Sequence, residues 1–199
     1  MFMLYGLTGG ICTGKSLVAE MFKMHGATLI RTDDYLKGAY VDLKEEILCL
    51  FGDSILDTLG KIDRTELKKT MLEKMDLIET FWEIADSYLE PRIIPILEKE
   101  HNEITIFEAA QLYKREWNRY CKKVIEIQMP TKRQAEFLMD RAKRRDDFIL
   151  TDEQALYVIE KQLQGNNGNP DHVINNEGSV SQLESEVAGL YVRIKNGDF

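Results

Sequence analysis

The chain has 199 residues, of which 44% are hydrophobic, and a formal net charge of −8 at pH 7. This length allows one domain with its own core. The acidic balance argues against a broad nucleic-acid-binding surface, and the absence of a run of about twenty apolar residues argues against a membrane span. The N-terminus has no basic region followed by a cleavable apolar stretch, so we expect a cytoplasmic protein.

The first predicted element is a short buried strand, followed at once by a glycine-rich turn and a helix. Residues 3–7 are apolar or small, and residues 16–24 carry apolar side chains at helical spacing. The turn between them, residues 9–16, fits the pattern G-x-x-x-x-G-K-[ST]. A full match between a strand and a helix predicts a loop that binds the phosphates of a nucleoside triphosphate.

The residue types of this phosphate loop (residues 9–16) suit that chemistry. Glycines let the backbone curl around an anion, and the N–H groups at the start of the helix then face the phosphates. Lys15 is predicted to carry its charge to the β- and γ-phosphates, and the Ser16 hydroxyl is placed to ligate Mg²⁺. The loop predicts nucleotide binding and leaves the acceptor open.

The three cysteines, Cys12, Cys49 and Cys121, are far apart in sequence and show no metal-ligand spacing. Reduced thiols are therefore the expected state. Cys12 lies inside the phosphate loop, where it either fills a variable position or offers a thiol whose modification would block ATP binding. The first alternative is the favoured one.

A second strand is predicted over residues 27–30, and two aspartates follow it. Ligands of open parallel sheets bind beyond the carboxyl ends of the strands, so a carboxylate here shares a rim with the phosphate loop. Asp33 is placed to take a proton from an attacking hydroxyl. The alternative for either aspartate is to cap a helix that begins at Tyr35. We favour catalysis for Asp33 and capping for Asp34.

The next stretch is predicted to be mostly helical. Helices are expected over residues 41–50 and, after a turn in which Asp63 is the N-cap, over residues 64–100. Pro91 and Pro95 are expected to break or kink the second of them. This excursion falls between the second and third strands, where a kinase would carry the region that binds its acceptor.

Two further strands are predicted, over residues 103–107 and 124–127, with a short helix over residues 111–120 between them. Glu108 ends the first of these strands at the same rim. It either holds Mg²⁺ through water or is a structural cap, and the spacing favours neither reading.

A cation-rich helix is predicted after Thr131, followed by a loop over residues 146–150 and a second helix over residues 151–164. A run of cations on a helix is usually a solvated face. Here the acidic chain, the polyanionic ligand and the helix–loop–helix order favour a lid that closes over phosphates and offsets developing charge. Arg141 and Arg145 are four residues apart and can face one way.

The last predicted strand covers residues 172–176, and an amphipathic helix over residues 180–194 closes the chain. Asn176 lies at the rim end of this strand. It either bonds an adenine edge or forms the turn before Gly178, and the spacing leaves both open.

The order of these motifs resembles the dephospho-coenzyme A kinase family over nearly the whole chain. The similarity is carried by residues 7–11 and 14–16, by residues 30–33 with Asp33, by residues 51–52, 55–56, 60–64 and 67, by Arg141, Arg145 and Gln162, and by residues 171–176. The first and last of these segments are the most specific.

The resemblance implies an α/β P-loop kinase fold, in which helices flank a five-stranded parallel sheet that carries a helical acceptor-binding insertion and a helical lid. It divides a single domain, residues 1–199, into a core (1–34, 101–130 and 170–199), an acceptor-binding region (35–100) and a lid (131–165).

The resemblance also implies a reaction, in which the γ-phosphoryl group of ATP moves to the ribose 3′-hydroxyl of dephospho-CoA with Mg²⁺ present. ATP and dephospho-CoA would be the partners, without nucleic acid or membrane. The implied roles are catalysis by Asp33, Lys15 and Arg145; acceptor binding by Asp33 and Arg64; metal binding by Ser16; and ATP binding by Gly10, Ile11, Cys12, Thr13, Gly14, Lys15, Ser16, Leu17, Arg141 and Asn176.

The chain departs from the family's pattern at a few positions, and two other functions stay open. Leu17 lacks a hydroxyl that is common there, and Arg31 replaces a common aspartate. Glu90, Ala110 and Lys114 also differ, near the expected acceptor pocket. The alternatives are another small-molecule or nucleoside P-loop kinase, and a nucleotide-binding switch that phosphorylates no small molecule.

Overall fold

The structure is a computed structural model that describes residues 3–145, 149–164 and 166–199. Five parallel strands form one sheet in the spatial order β2-β3-β1-β4-β5. The strands are β1 (Leu4–Gly9), β2 (Thr28–Arg31), β3 (Thr105–Glu108), β4 (Lys123–Gln128) and β5 (His172–Asn175). The predicted five-stranded parallel sheet is confirmed, and the predicted strand ends differ from the observed ones by at most two residues.

The described part of the chain has eight α-helices. They are α1 (Lys15–Met24), α2 (Thr32–Asp42), α3 (Lys44–Phe51), α4 (Arg64–Glu73), α5 (Ile78–Leu97), α6 (Thr131–Arg145), α7 (Asp152–Leu163) and α8 (Val180–Asn196). Helices α1 and α8 cover one face of the sheet, where Phe22 and Leu190 pack on Ile106. Helices α2 and α5 cover the other face, where Leu89 packs with Phe107.

The strands are buried because helices cover both faces, as parallel sheets require. All six residues of β1 are buried, and each fully buried Leu or Phe stabilises the fold by about 1.5–3 kcal/mol. The strand register pairs Leu7 with Glu108 and with Ile125. The carboxyl ends of all five strands therefore meet at one rim, which carries the phosphate loop.

Two smaller apolar clusters lie outside the sheet. Ile47, Phe51, Ile55, Leu67 and Phe81 form one between α3, α4 and α5. The other lies between α6 and α7 and is described below. Within the described ranges, no helix is both long and apolar enough to cross a bilayer.

The helix predicted over residues 64–100 does break, but not at the prolines. The chain leaves helical geometry at Lys74, and α5 runs unbroken through Pro91 and Pro95. Both prolines lie on the exposed face of α5. Since they are four residues apart, the carbonyls that lose an N–H partner, those of Ser87 and Pro91, lie on that same face and can bond water.

Two other predicted helices are also corrected. The chain is already helical at Thr32, and Leu43 separates α2 from α3 within the predicted helix over residues 41–50. Residues 111–120 form turns and a short 3₁₀ helix, Trp117–Tyr120, because Glu116 adopts a positive φ of 55°. This geometry buries Trp117 against Phe107, with ring centroids 5.5 Å apart.

Candidate active site

The phosphate loop curls at the end of β1 through two positions that require glycine. Gly9 has a φ of 146°, and a Cβ there would lie 2.5 Å from the Ile127 carbonyl oxygen. Gly14 has a φ of 96°, and a Cβ there would lie 2.4 Å from Nδ2 of Asn176. Gly14 is the N-cap of α1 and no side chain caps this helix, so the first N–H groups of α1 are suited to an anion.

Side chains from distant parts of the chain hold the loop in place. Asn176 Nδ2 donates a hydrogen bond to the Thr13 carbonyl oxygen at 2.9 Å, and Thr13 Oγ1 donates to the Gly10 carbonyl oxygen at 2.9 Å. On the opposite side, the Ile11 N–H donates to Oε1 of Gln162. Asn176 thus braces the phosphate loop, a role that the sequence did not predict, and its predicted contact with adenine stays a prediction.

The phosphate loop predicts ATP as a substrate, and replacing Asn176 with alanine is then expected to raise the KM for ATP about tenfold, the equivalent of about 1.4 kcal/mol for one lost hydrogen bond. If Asn176 only braces the loop, the KM for GTP rises by the same factor; if it also reads adenine, the ATP/GTP preference falls. Initial rates with both nucleotides measure this. Asn175→Ala, an exposed neighbour on β5, is the control, and a wild-type KM for Asn176→Ala would contradict the bracing role.

Lys15 is the centre of the charged groups at the rim. Burial lowers the pKa of the Lys15 ammonium, the carboxylates of Glu108 and Asp33 act to raise it, and the charge of Arg141 lowers it. These groups come from α1, β3, α2 and α6, so the fold brings together four parts of the chain. A partly desolvated cation between carboxylates and an arginine is suited to binding a polyphosphate, because the phosphate charges would stabilise the Lys15 ammonium.

Asp33 and Asp34 lie in the first turn of α2, and the expected cap at Asp34 is wrong. Arg31 is the N-cap residue of α2, without a side-chain cap hydrogen bond, and Asp34 instead bonds Lys37 Nζ at 2.8 Å. Asp33 is exposed and lines the same cavity as the phosphate loop. The helix begins at Thr32, three residues earlier than predicted. The Thr32 hydroxyl donates a hydrogen bond to the Glu108 carbonyl oxygen at 3.0 Å, which fixes this start to the end of β3.

Glu108 is buried at the end of β3 and contacts the loop directly. The Ser16 hydroxyl donates a hydrogen bond to Oε1 of Glu108 at 2.7 Å. The other carboxylate oxygen, Oε2, lies 3.1 Å from Nε of Arg31, whose Nη2 pairs with Glu20. The β2–β3 register, in which Arg31 lies opposite Glu108, makes this pair possible. Sequence spacing could not find it because the partners are 77 residues apart.

A single cavity of about 1140 Å³ contains the phosphate loop and extends towards α4 and α5. Arg64 begins α4 after the Asp63 N-cap, which accepts bonds from two backbone N–H groups as predicted, and its guanidinium lies 5.4 Å from the Tyr40 ring centroid. The sequence reading missed Trp82 and Arg115, which line the same end of the cavity. Arg115 pairs with Asp86 at 2.7 Å.

The lid helices line the other side of the cavity. Arg141 of α6 is half-buried at the cavity surface. The side chain of Arg145, the other predicted lid arginine, lies outside the described residues, as do residues 146–148 of the predicted loop. Leu17, Arg133 and Phe137 line the end of the cavity beside α1, and neither Arg133 nor Phe137 was among the predicted site residues.

Comparison with known proteins supports one family. A family model described as "Dephospho-CoA kinase" matches residues 3–182. A dephospho-CoA kinase of Aquifex aeolicus is 30% identical over 191 residues, covering 94% of each chain, and one of Fusobacterium nucleatum is 29% identical, covering 93% of this chain and 95% of the relative. The solved dephospho-CoA kinase from Campylobacter jejuni shares the fold, with a TM-score of 0.57 at 23% identity and full coverage of both chains.

Proposed function

The chain belongs to the dephospho-CoA kinase family, and on this premise we propose that it transfers the γ-phosphoryl group of ATP to the ribose 3′-hydroxyl of dephospho-CoA, giving CoA and ADP. This is the last step of coenzyme A synthesis. The observation that carries the proposal is the match of the family model to residues 3–182, a segment in which Lys15, Ser16 and Asp33 line one cavity.

The proposed mechanism uses groups that meet at the rim. Asp33 accepts the proton of the acceptor hydroxyl while the oxygen of that hydroxyl attacks the γ-phosphorus. The bond from that phosphorus to the β–γ bridging oxygen then breaks to release ADP. Lys15 and the N–H groups of the phosphate loop hold the phosphates in line with the acceptor. Arg141 and Arg145 are assigned to offset the charge that develops on the transferred group.

Nucleotide binding in this proposal extends along the loop and its neighbours. We assign Gly10, Ile11, Cys12, Thr13 and Gly14 to the phosphates, with Ile11 acting through the shape of the loop because its N–H already bonds Gln162. Leu17, Arg141 and Asn176 are assigned to complete the site. Leu17 is 43% exposed at the cavity, which suits an apolar contact with the nucleoside.

Ser16 and Glu108 provide oxygen atoms that suit Mg²⁺, and the phosphates of a bound nucleotide would provide others. A hydroxyl and a carboxylate are oxygen donors of the kind that Mg²⁺ prefers, and the Ser16 hydroxyl already lies 2.7 Å from Glu108. Among the described residues, no group of three or more His, Cys, Asp or Glu side chains is arranged to hold a metal. Mg²⁺ bound here would rely on Ser16 and on phosphate oxygens, and would neutralise charge on the β- and γ-phosphates.

The far end of the cavity is suited to a long acceptor that is partly apolar and partly anionic. The apolar wall of this end comes from α4, α5 and the turn between them, and consists of Met71, Leu72, Met75, Ile78 and Trp82. Its cations come from α2, α4 and the segment after β3, and are Lys37, Arg64, Lys68 and Arg115. The cavity volume of about 1140 Å³ is slightly above the range of about 300–1,000 Å³ that is usual for ligand sites, so the cavity has room for a long acceptor. We assign Arg64 to acceptor binding.

The proposal is tested by measuring ADP release with Mg-ATP and dephospho-CoA and identifying CoA by mass. One CoA per ADP is the expected result. CoA itself, in which the 3′ oxygen already carries phosphate, is the matched control and should give no turnover above the background.

Two outcomes would contradict the proposal. Turnover with a nucleoside or a small metabolite alcohol, but not with dephospho-CoA, would favour another small-molecule kinase. Tight ATP binding without ADP production for any acceptor would favour a nucleotide-binding switch. The predicted cytoplasmic location and the division into core, acceptor region and lid stay predictions.

A further inference from the structure

The lid and the phosphate loop are joined by a hydrogen bond between parts of the chain that are 151 residues apart. The donor is the backbone N–H of Ile11 in the loop, and the acceptor is the side-chain carbonyl oxygen of Gln162 in the last turn of α7. A backbone N–H in this loop is a group that an anion could bind. In this protein, a lid side chain binds it instead.

Apolar packing makes the same connection. The core of the lid consists of buried residues from α6, α7 and the segment that precedes α7: Ala135, Leu138, Ala142, Leu150, Ala155 and Ile159. Ile11 and Cys12 of the phosphate loop pack against this cluster, and so does Leu72 of α4. Ile11 therefore contributes its side chain to the lid core and its N–H to a lid hydrogen bond.

Side chains from outside the phosphate loop hold it at two points, and between these points the backbone has an uncommon conformation. Cys12 has a φ of 60°, which is uncommon for a residue other than glycine. The Thr13 N–H reaches the Gly10 carbonyl oxygen only at 3.4 Å. Asn176 holds the loop from the sheet side, at Thr13, and Gln162 holds it from the lid side, at Ile11.

We infer that Gln162 is a positioning residue, which sets the conformation of the phosphate loop by tying Ile11 to the lid. Opening α7 away from the loop must break the Ile11–Gln162 bond, so the position of the lid and the shape of the loop change together. A nucleotide that binds the ordered loop better than the released loop must then favour the closed lid by the same factor. This inference rests on the proposed binding of ATP to the loop, and it is independent of the acceptor.

The test is Gln162→Met, which keeps the side-chain volume and removes the acceptor oxygen. Amide hydrogen exchange of a peptide covering the phosphate loop, relative to one covering β4 in the same sample, reports the loop and cancels any change in global stability. We expect exchange of the loop to become at least several times faster, and the Kd for ADP to rise about tenfold, as for the loss of one hydrogen bond.

Two variants separate positioning from a structural effect. Gln164→Met makes the same change at an exposed position two residues further on and should leave both measurements at the wild-type values. Gln162→Glu keeps an acceptor oxygen in place and should restore the slow exchange of the loop, even where its charge weakens nucleotide binding.

The inference is overturned if exchange of the loop in Gln162→Met equals that of the wild type, or if exchange rises while the Kd for ADP does not change. Should Gln162→Met unfold, Gln162→Ala gives the same comparison with a shorter side chain. Neither measurement uses dephospho-CoA. A wild type that ignores that acceptor would therefore overturn the proposed function and leave this inference standing.

Discussion

Replacing Asp33 with asparagine is expected to lower kcat with dephospho-CoA by two or more orders of magnitude, roughly the scale of a lost general base. The substitution keeps the shape of the side chain, and Asp33 is exposed at the start of α2, so the fold should be unaffected. The KM for ATP should change little because Asp33 is assigned to the acceptor hydroxyl. Initial-rate kinetics with both substrates varied measure the two effects separately.

Asp34→Asn is the matched control for this variant. Asp34 lies in the same turn, is exposed and bonds Lys37, so its loss should change kcat by no more than a few fold. An Asp33→Asn enzyme that is nearly as fast as the wild type would show that the base is elsewhere. Asp34 and Glu108 would then be the next carboxylates to replace.

Replacing Lys15 with methionine is expected to reduce kcat/KM for ATP by at least about 100-fold, since one preorganised donor to a developing charge has an effect of about 10²–10³. The same change should leave the nucleotide-free protein as stable as the wild type or more stable. The reason is that burial, together with the charge of Arg141, lowers the pKa of Lys15 more than the neighbouring acidic groups raise it. The folded state therefore disfavours this charge.

The stability gain should depend on pH in a defined direction. Below the lowered pKa, Lys15 is charged in both the folded and the unfolded chain, and the full penalty reduces the free energy of unfolding of the wild type. As the pH rises through that pKa towards the usual value of 10.5, the penalty disappears, and so should the advantage of Lys15→Met.

Thermal unfolding of the nucleotide-free proteins, at neutral pH and above pH 10, measures this dependence. Lys23→Met, at the exposed end of α1, is the control and should keep full activity. A large loss of Tm in Lys15→Met at neutral pH would show instead that the ammonium stabilises the fold through its carboxylate neighbours.

Much of the fold could be predicted from sequence because its signals are local. The apolar strands, the glycine-rich turn and the cap at Asp63 each depend on residues within a few positions of one another, and the sheet follows from the alternation of strands and helices. The predicted site residues at the carboxyl ends of the strands meet at one rim for the same reason. Parallel strands bring those ends together whatever their separation in sequence.

The errors occur where tertiary contacts outweigh local preference. Proline predicts the end of a helix, yet Pro91 and Pro95 lie where water can bond the carbonyls that lose a partner. Residues 111–120 have helical composition, but Glu116 adopts a positive φ and the neighbouring Trp117 is buried. Asp34 resembles a cap by its position after a strand, and only the structure shows that the helix already begins at Thr32.

The contacts that hold the site together had no sequence signal of their own. Glu108 was left between two roles, and the structure places it between Ser16 and Arg31. Gln162 was identified only through the resemblance, and nothing in its neighbours along the chain pointed to Ile11. Such pairs depend on strand register and lid closure, which become visible only when the elements are assembled.

Helix α5 connects the sheet to the wall of the cavity. Its twenty residues form a rod of about 30 Å. Leu89, Ile93 and Leu97, in its C-terminal half, pack against the sheet. Ile78 and Trp82, near its N-terminus, line the cavity. Because one helix both packs on the sheet and lines the cavity, we expect Ile78 and Trp82 to keep their distance from the sheet when the lid moves. Engineering the cavity for shorter or longer acceptors would therefore begin with these two side chains.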